Sequence, residues 1–153
     1  ARAVIGLEPD QSFQIAQCCQ PVPGERIVGI TYRGKSMMVH SIDCRALEAL
    51  DGDSSRWVDV HWHSGQHPAI HTVTLNVVIA NGPGVLGRIC TLIGEQKANI
   101  SNMTFVDRKP DYYRLLIDVD LRDIEHLHAV MLVLEAETDV AEIRRHRDLS
   151  RAP

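Results

Sequence analysis

The feature that most constrains the fold is a loop at residues 80–87, which joins an apolar alternating segment to an amphipathic one. At residues 73–79 apolar side chains recur at every second position, which is the period of a strand with one buried face. At residues 86–93 they recur at helical spacing and form one apolar stripe. The loop at 81–84 ends where this helix begins, so backbone N–H groups without helical partners and the positive end of the helix dipole are available to an anion. The turn alone leaves two interpretations open, an anion-binding site and a tight connection.

The order of the elements after residue 72 predicts the architecture of the second half. The first strand and helix are followed by strands over 99–106 and 112–120, a helix that Asp123 caps, and a last strand over 140–145. This βαββαβ order predicts a ferredoxin-like sandwich, in which two helices cover one face of an antiparallel sheet.

The first half consists of shorter apolar runs separated by turns. They predict, in order, a lead-in with little structure over 1–17, strands over 27–32 and 36–39, a helix over 42–50 with Ser41 as its cap, and a strand over 57–63. A polar hinge with glycine and proline follows at 64–71. We therefore predict an α+β protein with two domains, a small β-rich cysteine domain at 1–66 and a ferredoxin-like domain at 67–153.

Composition excludes several classes of protein. The chain has 16 Lys and Arg against 20 Asp and Glu, a net charge of −4, so it has no overall basic character for nucleic acid or an anionic membrane. No apolar run approaches the roughly 20 residues that span a bilayer, and no signal-peptide pattern is present. We predict a cytoplasmic protein without a membrane partner. Because thiols stay reduced there, the four cysteines indicate metal binding rather than disulfides.

The second half resembles an ACT domain, the small-molecule-sensing module of amino-acid metabolism, over about residues 72–147. The family has an Asp-Arg-Pro-Gly-like tetrapeptide and a Leu between its first strand and first helix. The residues at those positions here are Asn81, Gly82, Pro83, Gly84 and Leu86. Asn81 replaces a frequent acidic residue and Gly82 an arginine, so this loop has no charged partner for a ligand's ammonium. The amide oxygen of Asn81 can still accept from that ammonium, although more weakly than a carboxylate.

The resemblance implies that this loop binds a free amino acid. We expect the backbone N–H groups of residues 84–86 to hold the ligand's carboxylate, and Asn81 with carbonyls near residues 99 and 100 to hold its ammonium. The expected lining is apolar, which predicts valine, isoleucine or leucine as the ligand. The predicted ligand-binding residues are Asn81, Gly82, Pro83, Gly84, Val85, Leu86, Asn99, Ile100 and Met103.

The first half resembles the conserved-cysteine, or zinc-finger-type, domain of long RelA/SpoT homologues, the stringent-response enzymes that make and break (p)ppGpp. The resemblance is carried by CCQPVPG at 18–24 and by HSIDC at 40–44, directly before an ACT domain. The family's hydrolase and synthetase domains lie N-terminal to this region. Since the chain also lacks an initiating Met, we expect a regulatory fragment without enzyme activity of its own.

Cys18, Cys19, His40 and Cys44 could form a structural Cys₃His zinc site. Adjacent cysteines diverge in extended backbone, so this site needs a bend, which we assign to residues 21–23. The alternative is a reduced, metal-free cluster whose side chains serve packing or RNA contact.

The resemblance also implies a ribosomal RNA partner and a homodimer. The basic and aromatic residues near the turns of the cysteine domain are Arg26, Tyr32, Arg33, Lys35 and Arg45. Because the chain is net acidic, we expect a local contact with few phosphates. A homodimer is expected because an exposed sheet edge needs covering.

The remaining histidines and the fourth cysteine are assigned structural roles. Cys90 is predicted in the core, His61 and His63 on a solvated strand face, and His126 and His128 on the polar side of the second helix.

Two other function classes stay open beside a sensor and interaction module of a (p)ppGpp synthetase/hydrolase. An amino-acid-binding regulatory subunit of a biosynthetic enzyme would also use an ACT domain, but it would have no reason to carry the cysteine motif. A metal-dependent or thiol enzyme is disfavoured because four protein ligands close the coordination sphere of zinc.

Overall fold

The structure, a computed structural model of the 153-residue chain, describes residues 3–50, 52–63 and 70–153. It divides into two compact units. The first contains the described residues up to 63 together with Arg147–Pro153, and the second is Ile70–His146. The predicted boundary after residue 66 lies outside the described residues. The predicted second domain ran to residue 153, whereas Arg147–Pro153 return to the first unit, where the N–H of Asp148 donates to the carbonyl of Cys18 at 3.1 Å.

The first unit is built from short strands. They are β1 Val4–Ile5, β2 Phe13–Ile15, β3 Ile27–Ile30, β4 Met37–Ser41, β5 Trp57–Val58 and β6 His61–Trp62. The strands β2, β4, β3 and β5 form one sheet in that order, and β1 pairs with β6 in another. The predicted strands over 27–32 and 36–39 are confirmed as β3 and β4. The turn between them contains Gly34 at φ 73°, a conformation that glycine adopts without strain.

Four predictions for the first unit were wrong in detail. The lead-in is structured, because β1 pairs with β6 and β2 pairs in parallel with β4. The expected helix over 42–50 is a 3₁₀ helix at Arg45–Leu50. Ser41 does not cap it, since Ser41 ends β4 and its Oγ has no hydrogen-bond partner among the described residues. The expected strand over 57–63 is broken into β5 and β6.

The second unit has the predicted βαββαβ order. Its elements are β7 His71–Ala80, α1 Val85–Glu95, β8 Asn99–Arg108, β9 Tyr112–Leu121, α2 Ile124–Glu135 and β10 Val140–Arg145. The strands form an antiparallel sheet in the order β10-β7-β9-β8. The ferredoxin-like fold is therefore confirmed, with β7 and β9 central and β8 at one edge. None of the helices in the described parts of the chain is both long enough and apolar enough to cross a bilayer.

The core of the second unit follows the alternation seen in the sequence. Its buried apolar side chains include Val73, Leu75, Val77, Ile79, Ile89, Ile93, Leu115, Ile117, Val119, Leu127, Val130 and Leu134. The alternate side chains of β7 are also shielded, because the Thr74 hydroxyl donates to Asp118 at 2.6 Å and Arg114 donates to Asn76 at 2.7 Å. Cys90, predicted in the core, is only partly buried.

The start of α2 contains one correction. Asp123 caps the helix as predicted, accepting from the N–H of His126 at 2.8 Å. His126 itself was assigned to the polar side but is only 5% exposed. Its Nδ1 accepts from the N–H of Arg122 at 3.1 Å, so its Nε2 carries the proton and donates to the carbonyl of Gln96 at 2.7 Å. His128 is exposed, as predicted.

Candidate metal centre and candidate ligand loop

The four predicted metal ligands converge in the first unit. The donor atoms of Cys18, Cys19, His40 and Cys44 all lie within 4.8 Å of one another, and all four residues are buried. The Sγ of Cys18 lies 3.5 Å from His40 Nδ1 and 3.6 Å from the Sγ of Cys44. The Sγ of Cys19 lies 3.9 Å from the same His40 nitrogen.

A tight turn at residues 16–20 brings the two adjacent cysteines to one side. The N–H of Gln20 donates to the carbonyl of Ala16 at 2.9 Å, and Gln20 has a φ of 49°. Residues in such a turn are not extended, so consecutive side chains need not point in opposite directions. The bend expected at 21–23 is therefore preceded by a turn that already contains the cysteines.

His40 and Cys44 reach the cluster from the end of β4. His40 belongs to that strand, and the N–H of Cys44 donates to the carbonyl of Ser41 at 3.0 Å in the turn that follows. The turn before β3, which contains Cys18 and Cys19, and the end of β4, with His40 and Cys44, therefore meet at the cluster.

The cluster fits a tetrahedral zinc ion. Zinc bound at its usual distances to sulfur and nitrogen places the ligand atoms about 3.7 Å apart, close to the separations of 3.5, 3.6 and 3.9 Å seen here. Neighbouring groups complete the arrangement. The Tyr32 hydroxyl lies 3.0 Å from His40 Nε2, and the N–H of Ser41 donates to the Sγ of Cys19 at 3.3 Å. Partners of this kind orient ligands in zinc sites.

Hydrogen bonds within the cluster separate the acidities of its thiols. The pKa of Cys19 is lowered, chiefly because the Cys18 thiol donates a hydrogen bond to its sulfur. Burial acts in the opposite direction, but His40 and the N–H of Ser41 also face this sulfur and lower the pKa further. The hydrogen bond between the two thiols, together with burial, raises the pKa of Cys18, and burial raises that of Cys44. One thiolate is thus stabilised before any metal arrives, and the thiolate is the form that binds zinc.

The predicted RNA-contact residues do not form a single patch. Arg26 precedes β3 and Arg45 follows β4 at one end of the hairpin, whereas Arg33 and Lys35 lie in the turn at its other end. Tyr32 is directed inward, with its hydroxyl on His40 and Arg56 5.1 Å above its ring.

Lys35 lines a cleft that no local sequence pattern predicts. The cleft has a volume of about 370 Å³, and its lining residues are Gln14, Gln17, Lys35, Ser36, Met38, Arg151 and Pro153. Arg151 escaped prediction because it belongs to the returning segment, whose position in the first unit no local pattern signals.

In the second unit, the predicted ligand loop forms the start of α1. Gly84 is the N-cap at φ 76°, and no side chain caps the helix. Of the three predicted carboxylate donors, the N–H of Val85 already donates to the carbonyl of Gly82 at 3.3 Å. The N–H of Leu86 lies in the first helical turn, where the helix supplies no partner.

Asn81 ties this loop to the turn between β8 and β9. Its Nδ2 donates to the carbonyls of Lys109 and Pro110 at 3.3 and 3.2 Å, and its N–H donates to the carbonyl of Asp111 at 3.0 Å. The side-chain oxygen is the atom that the prediction assigns to a ligand's ammonium.

The prediction that Asn99 and Ile100 lie beside the ligand loop was wrong for the loop of their own chain. The loop follows Ala80, whereas Asn99 pairs with Asp120, which pairs with Thr72 at the opposite end of the sheet. The eight residue steps between Thr72 and Ala80 correspond to about 26 Å. Asn99 and Ile100 are therefore too distant to join the loop of their own chain.

Met103 is also remote from the loop. It pairs with Ile117 across from Leu75, in the middle of the sheet. The error arose because β8 was treated as the neighbour of β7, although β9 lies between them.

The loop's own neighbours include charged residues that the sequence analysis missed. Arg88 pairs with Glu137 at 3.1 Å and also with Asp139. The N–H of Ala80 donates to the carbonyl of Asp139 at 2.8 Å. These contacts attach the start of α1 to the connection before β10, and their separation along the chain hides them from local patterns.

Comparison with known proteins finds one family profile for each of the two units. The RelA/SpoT RIS domain profile matches residues 3–63, and an ACT domain profile matches residues 68–145. The chain belongs to the ACT-domain family, with a RelA/SpoT RIS domain before it. The resemblances drawn from the cysteine motif and the loop are thereby confirmed.

Curated relatives contain the same pair of domains within much longer chains. A GTP pyrophosphokinase rsh of Brucella suis biovar 1 is 34% identical over 146 residues, which are 95% of this chain and 19% of that protein. A GTP pyrophosphokinase of Escherichia coli K12 is 30% identical over 94% of this chain and 20% of its own length. The RIS–ACT chain thus spans about a fifth of these relatives and is homologous to their C-terminal region.

A solved structure was also found. The ACT domain from a GTP pyrophosphokinase of Chlorobium tepidum has a TM-score of 0.45 and 16% identity, over 52% of this chain and 90% of that one.

Proposed function

We propose that this chain is the regulatory end of a (p)ppGpp synthetase/hydrolase. In this proposal the ACT domain senses a branched-chain amino acid, and the RIS domain holds structural zinc and contacts ribosomal RNA. The observation that carries the proposal is the RIS–ACT pair, which relatives named GTP pyrophosphokinase share over about 95% of this chain. Catalysis is assigned to parts of those relatives that lie outside the matched region.

The amino-acid site is proposed to be completed by a second copy of the chain. The strand β8 lies at the edge of the sheet, and its Val106 is 54% exposed. Antiparallel pairing of two β8 edges about a two-fold axis would reverse one strand against the other. Asn99 and Ile100 of one copy would then lie beside Arg108 of the other, at the end of the sheet where the Asn81–Leu86 loop stands. This pairing would bring Asn99 and Ile100 back to the loop, but Met103 would stay in the middle of the sheet and is left out of the proposed site.

The composition of that site favours a small aliphatic ligand. The N–H of Leu86 is assigned to the carboxylate and the Asn81 side-chain oxygen to the ammonium. Leu86, with Ile100 from the second copy, offers apolar surface, whereas Val85 is only 6% exposed. Each methylene buried there contributes roughly 0.8 kcal/mol, about a fourfold step in affinity. Aspartate and lysine would bury an unpaired charge and are expected to bind poorly.

The zinc ion is proposed as a structural cross-link. Three thiolates and one imidazole would fill its four positions, so its chemistry is to hold the donors together. Cys18 and Cys19 would anchor the turn after β2, while His40 and Cys44 would anchor the end of β4.

For ribosomal RNA we propose the Lys35 end of the β3–β4 hairpin. Arg33 and Lys35 are exposed there, and Lys35 shares its cleft with Arg151. Exposed cations on one side of a small domain suit a contact with a few phosphates.

Calorimetry on the whole chain tests the proposed sensor. We expect heat with valine, isoleucine or leucine and little with aspartate or lysine, and sedimentation should show that the binding species is a dimer. Ile100→Ala removes apolar surface that the second copy is proposed to offer, so it should weaken valine binding and leave the fold intact. No heat with any branched-chain amino acid would show that the loop is only a connection, and equal binding of aspartate would reject the proposed aliphatic preference.

A further inference from the structure

Two of the four cluster residues, Cys18 and Cys44, also line a cleft. The cleft has a volume of about 320 Å³, and its walls are Cys18, Asp43, Cys44, Arg45, Arg147 and Leu149. The other two, Cys19 and His40, are absent from its walls and are fully buried. We propose that Cys18 and Cys44 are a modification site, at which a peroxide forms a reversible disulfide that is incompatible with zinc.

The geometry selects this pair among the three cluster thiols. The two sulfurs lie 3.6 Å apart, so an approach of about 1.5 Å brings them to disulfide distance. A bond between Cys18 and Cys19 is disfavoured, because adjacent Cα atoms are about 3.8 Å apart and disulfides usually join Cα atoms separated by about 4.4 to 6.8 Å. Cys19 is also held by the N–H of Ser41.

Access favours the same two residues. A small neutral oxidant entering the cleft meets Cys44, which is 6% exposed, before it meets the more deeply buried Cys18. Cys90 lies in α1 of the second unit and is not among the residues whose donor atoms converge in this cluster. It therefore serves as the matched cysteine outside the site.

The reaction balances with hydrogen peroxide as the oxidant. The sulfur of Cys44 attacks one peroxide oxygen, the O–O bond breaks, and a sulfenic acid forms with release of one water. The sulfur of Cys18 then attacks the sulfenic sulfur, the S–O bond breaks, and a second water leaves with the remaining thiol proton. Two thiols lose two electrons and the peroxide gains them.

The disulfide would release the metal. Its sulfurs are no longer thiolates, and thiolates are the metal-binding form of cysteine. Only Cys19 and His40 would remain, which is half of a four-coordinate structural site. This consequence rests on the proposed zinc site, whereas formation of the disulfide does not.

The test is peroxide treatment of the whole chain, carrying Cys90→Ser, before and after chelation. Trypsin cuts after Arg2, Arg26, Lys35 and Arg45, so Cys18 and Cys19 share the peptide 3–26, and Cys44 lies in the peptide 36–45. We expect free thiols to fall from three to one per chain, a cross-link between these two peptides by mass spectrometry, and reversal by dithiothreitol. In the zinc-loaded sample, one equivalent of zinc should appear on a colorimetric chelator.

Single variants identify the cysteine in peptide 3–26. The cross-link should persist in Cys19→Ser and disappear in Cys18→Ser. Three results would overturn the proposal: a peptide 36–45 without a cross-link after peroxide treatment, a disulfide within peptide 3–26, or a cross-link that depends on Cys19. A cross-link in a chain that never binds zinc would retain the modification site and refute only the metal.

Discussion

The two units reach stability by different means. The ACT unit has strands of ten residues at β7, β8 and β9, and its core includes leucine and isoleucine side chains that are fully buried. The RIS unit has strands of two to five residues, and its buried apolar side chains form two smaller clusters. One of these clusters contains Cys18, Cys19 and Cys44 themselves. A small core of this kind often needs a metal or disulfides, whereas the longer sheet can rely on apolar burial.

Metal removal should give the largest difference between the units. A structural zinc site contributes about 10 to 16 kcal/mol of apparent binding free energy, which is folding free energy when the site forms only in the folded state. We expect a strong chelator, or His40→Ala, to unfold the RIS unit while the ACT unit keeps its dispersed amide resonances. Two-dimensional NMR on the whole chain measures both units together.

Cys90→Ser is the control for this experiment, because it removes a thiol outside the cluster and should leave zinc content and both units unchanged. If the carefully purified chain held no stoichiometric zinc and its RIS unit were still well ordered, the claim that the RIS unit depends on a metal and the ACT unit does not would be contradicted. In that case the reduced, metal-free cluster would be the correct interpretation.

The same contrast explains how far prediction from sequence could reach. In the ACT unit, the strand period of residues 73–79 and the helical stripe of 86–93 each extend over enough residues to be recognised, and the order of elements then fixed the fold. In the RIS unit, β1 and β2 have two and three residues, too few to display a period. Only the cysteine motif made the metal cluster predictable.

Long-range pairing limited the prediction of both sites. Residues 147–153 return to the RIS unit, and this brings Arg147 and Arg151 to its clefts without a local signal. In the ACT unit the strand order placed β9 between β7 and β8, which moved Asn99 away from the loop. Motifs therefore identified the residues, but the register decided which of them can meet.

Gly84→Val should remove ligand binding from the ACT unit. A Cβ at this position would have no atom of the described residues within 4 Å, so steric contact is not the reason. The reason is the φ of 76°, since holding a β-branched residue there costs about 1 to 3 kcal/mol and would shift the first turn of α1. Calorimetry with valine should show no heat, while circular dichroism still shows the folded sheet.

Gly87→Ala is the matched control for Gly84→Val, because Gly87 lies within α1 and a Cβ there also meets no atom within 4 Å in the part of the chain that the structure describes. Alanine should stabilise the helix by about 1 kcal/mol and retain binding. Equal loss of binding in both variants would remove any special role for the start of the helix.

Charge reversal in the RIS unit should have a smaller effect. Arg33→Glu with Lys35→Glu replaces two exposed cations in the β3–β4 turn, and we expect ribosome association to weaken by about tenfold, with a shallower salt dependence. Arg26→Glu with Arg45→Glu makes the same charge change at the other end of the hairpin and serves as the control. Co-sedimentation with ribosomes at several salt concentrations measures both, and equal weakening in the two pairs would reject the Lys35 end as the contact.

The smallest expected effect is a pH dependence in the ACT unit. Asp120 on β9 accepts from the Thr72 hydroxyl at 2.8 Å and from the Asn99 amide at 3.1 Å, so one carboxylate links β9 to both of its neighbours, β7 and β8. Burial acts to raise the pKa of Asp120, but hydrogen bonds from Asn99, Thr72 and Ser101 outweigh it and the pKa is lowered. A carboxyl with a lowered folded-state pKa stabilises the fold above its unfolded pKa, near 3.9, and loses that contribution as the pH falls through the folded value.

Asp120→Asn should therefore be less stable than the native chain at neutral pH, by at most about 1 kcal/mol because the hydrogen bonds are exposed. Denaturant unfolding of both chains from neutral pH into the acid range should show this difference shrinking below pH 4. A difference that stays constant over that range would mean that the asparagine perturbs packing and that the ionised carboxylate contributes nothing.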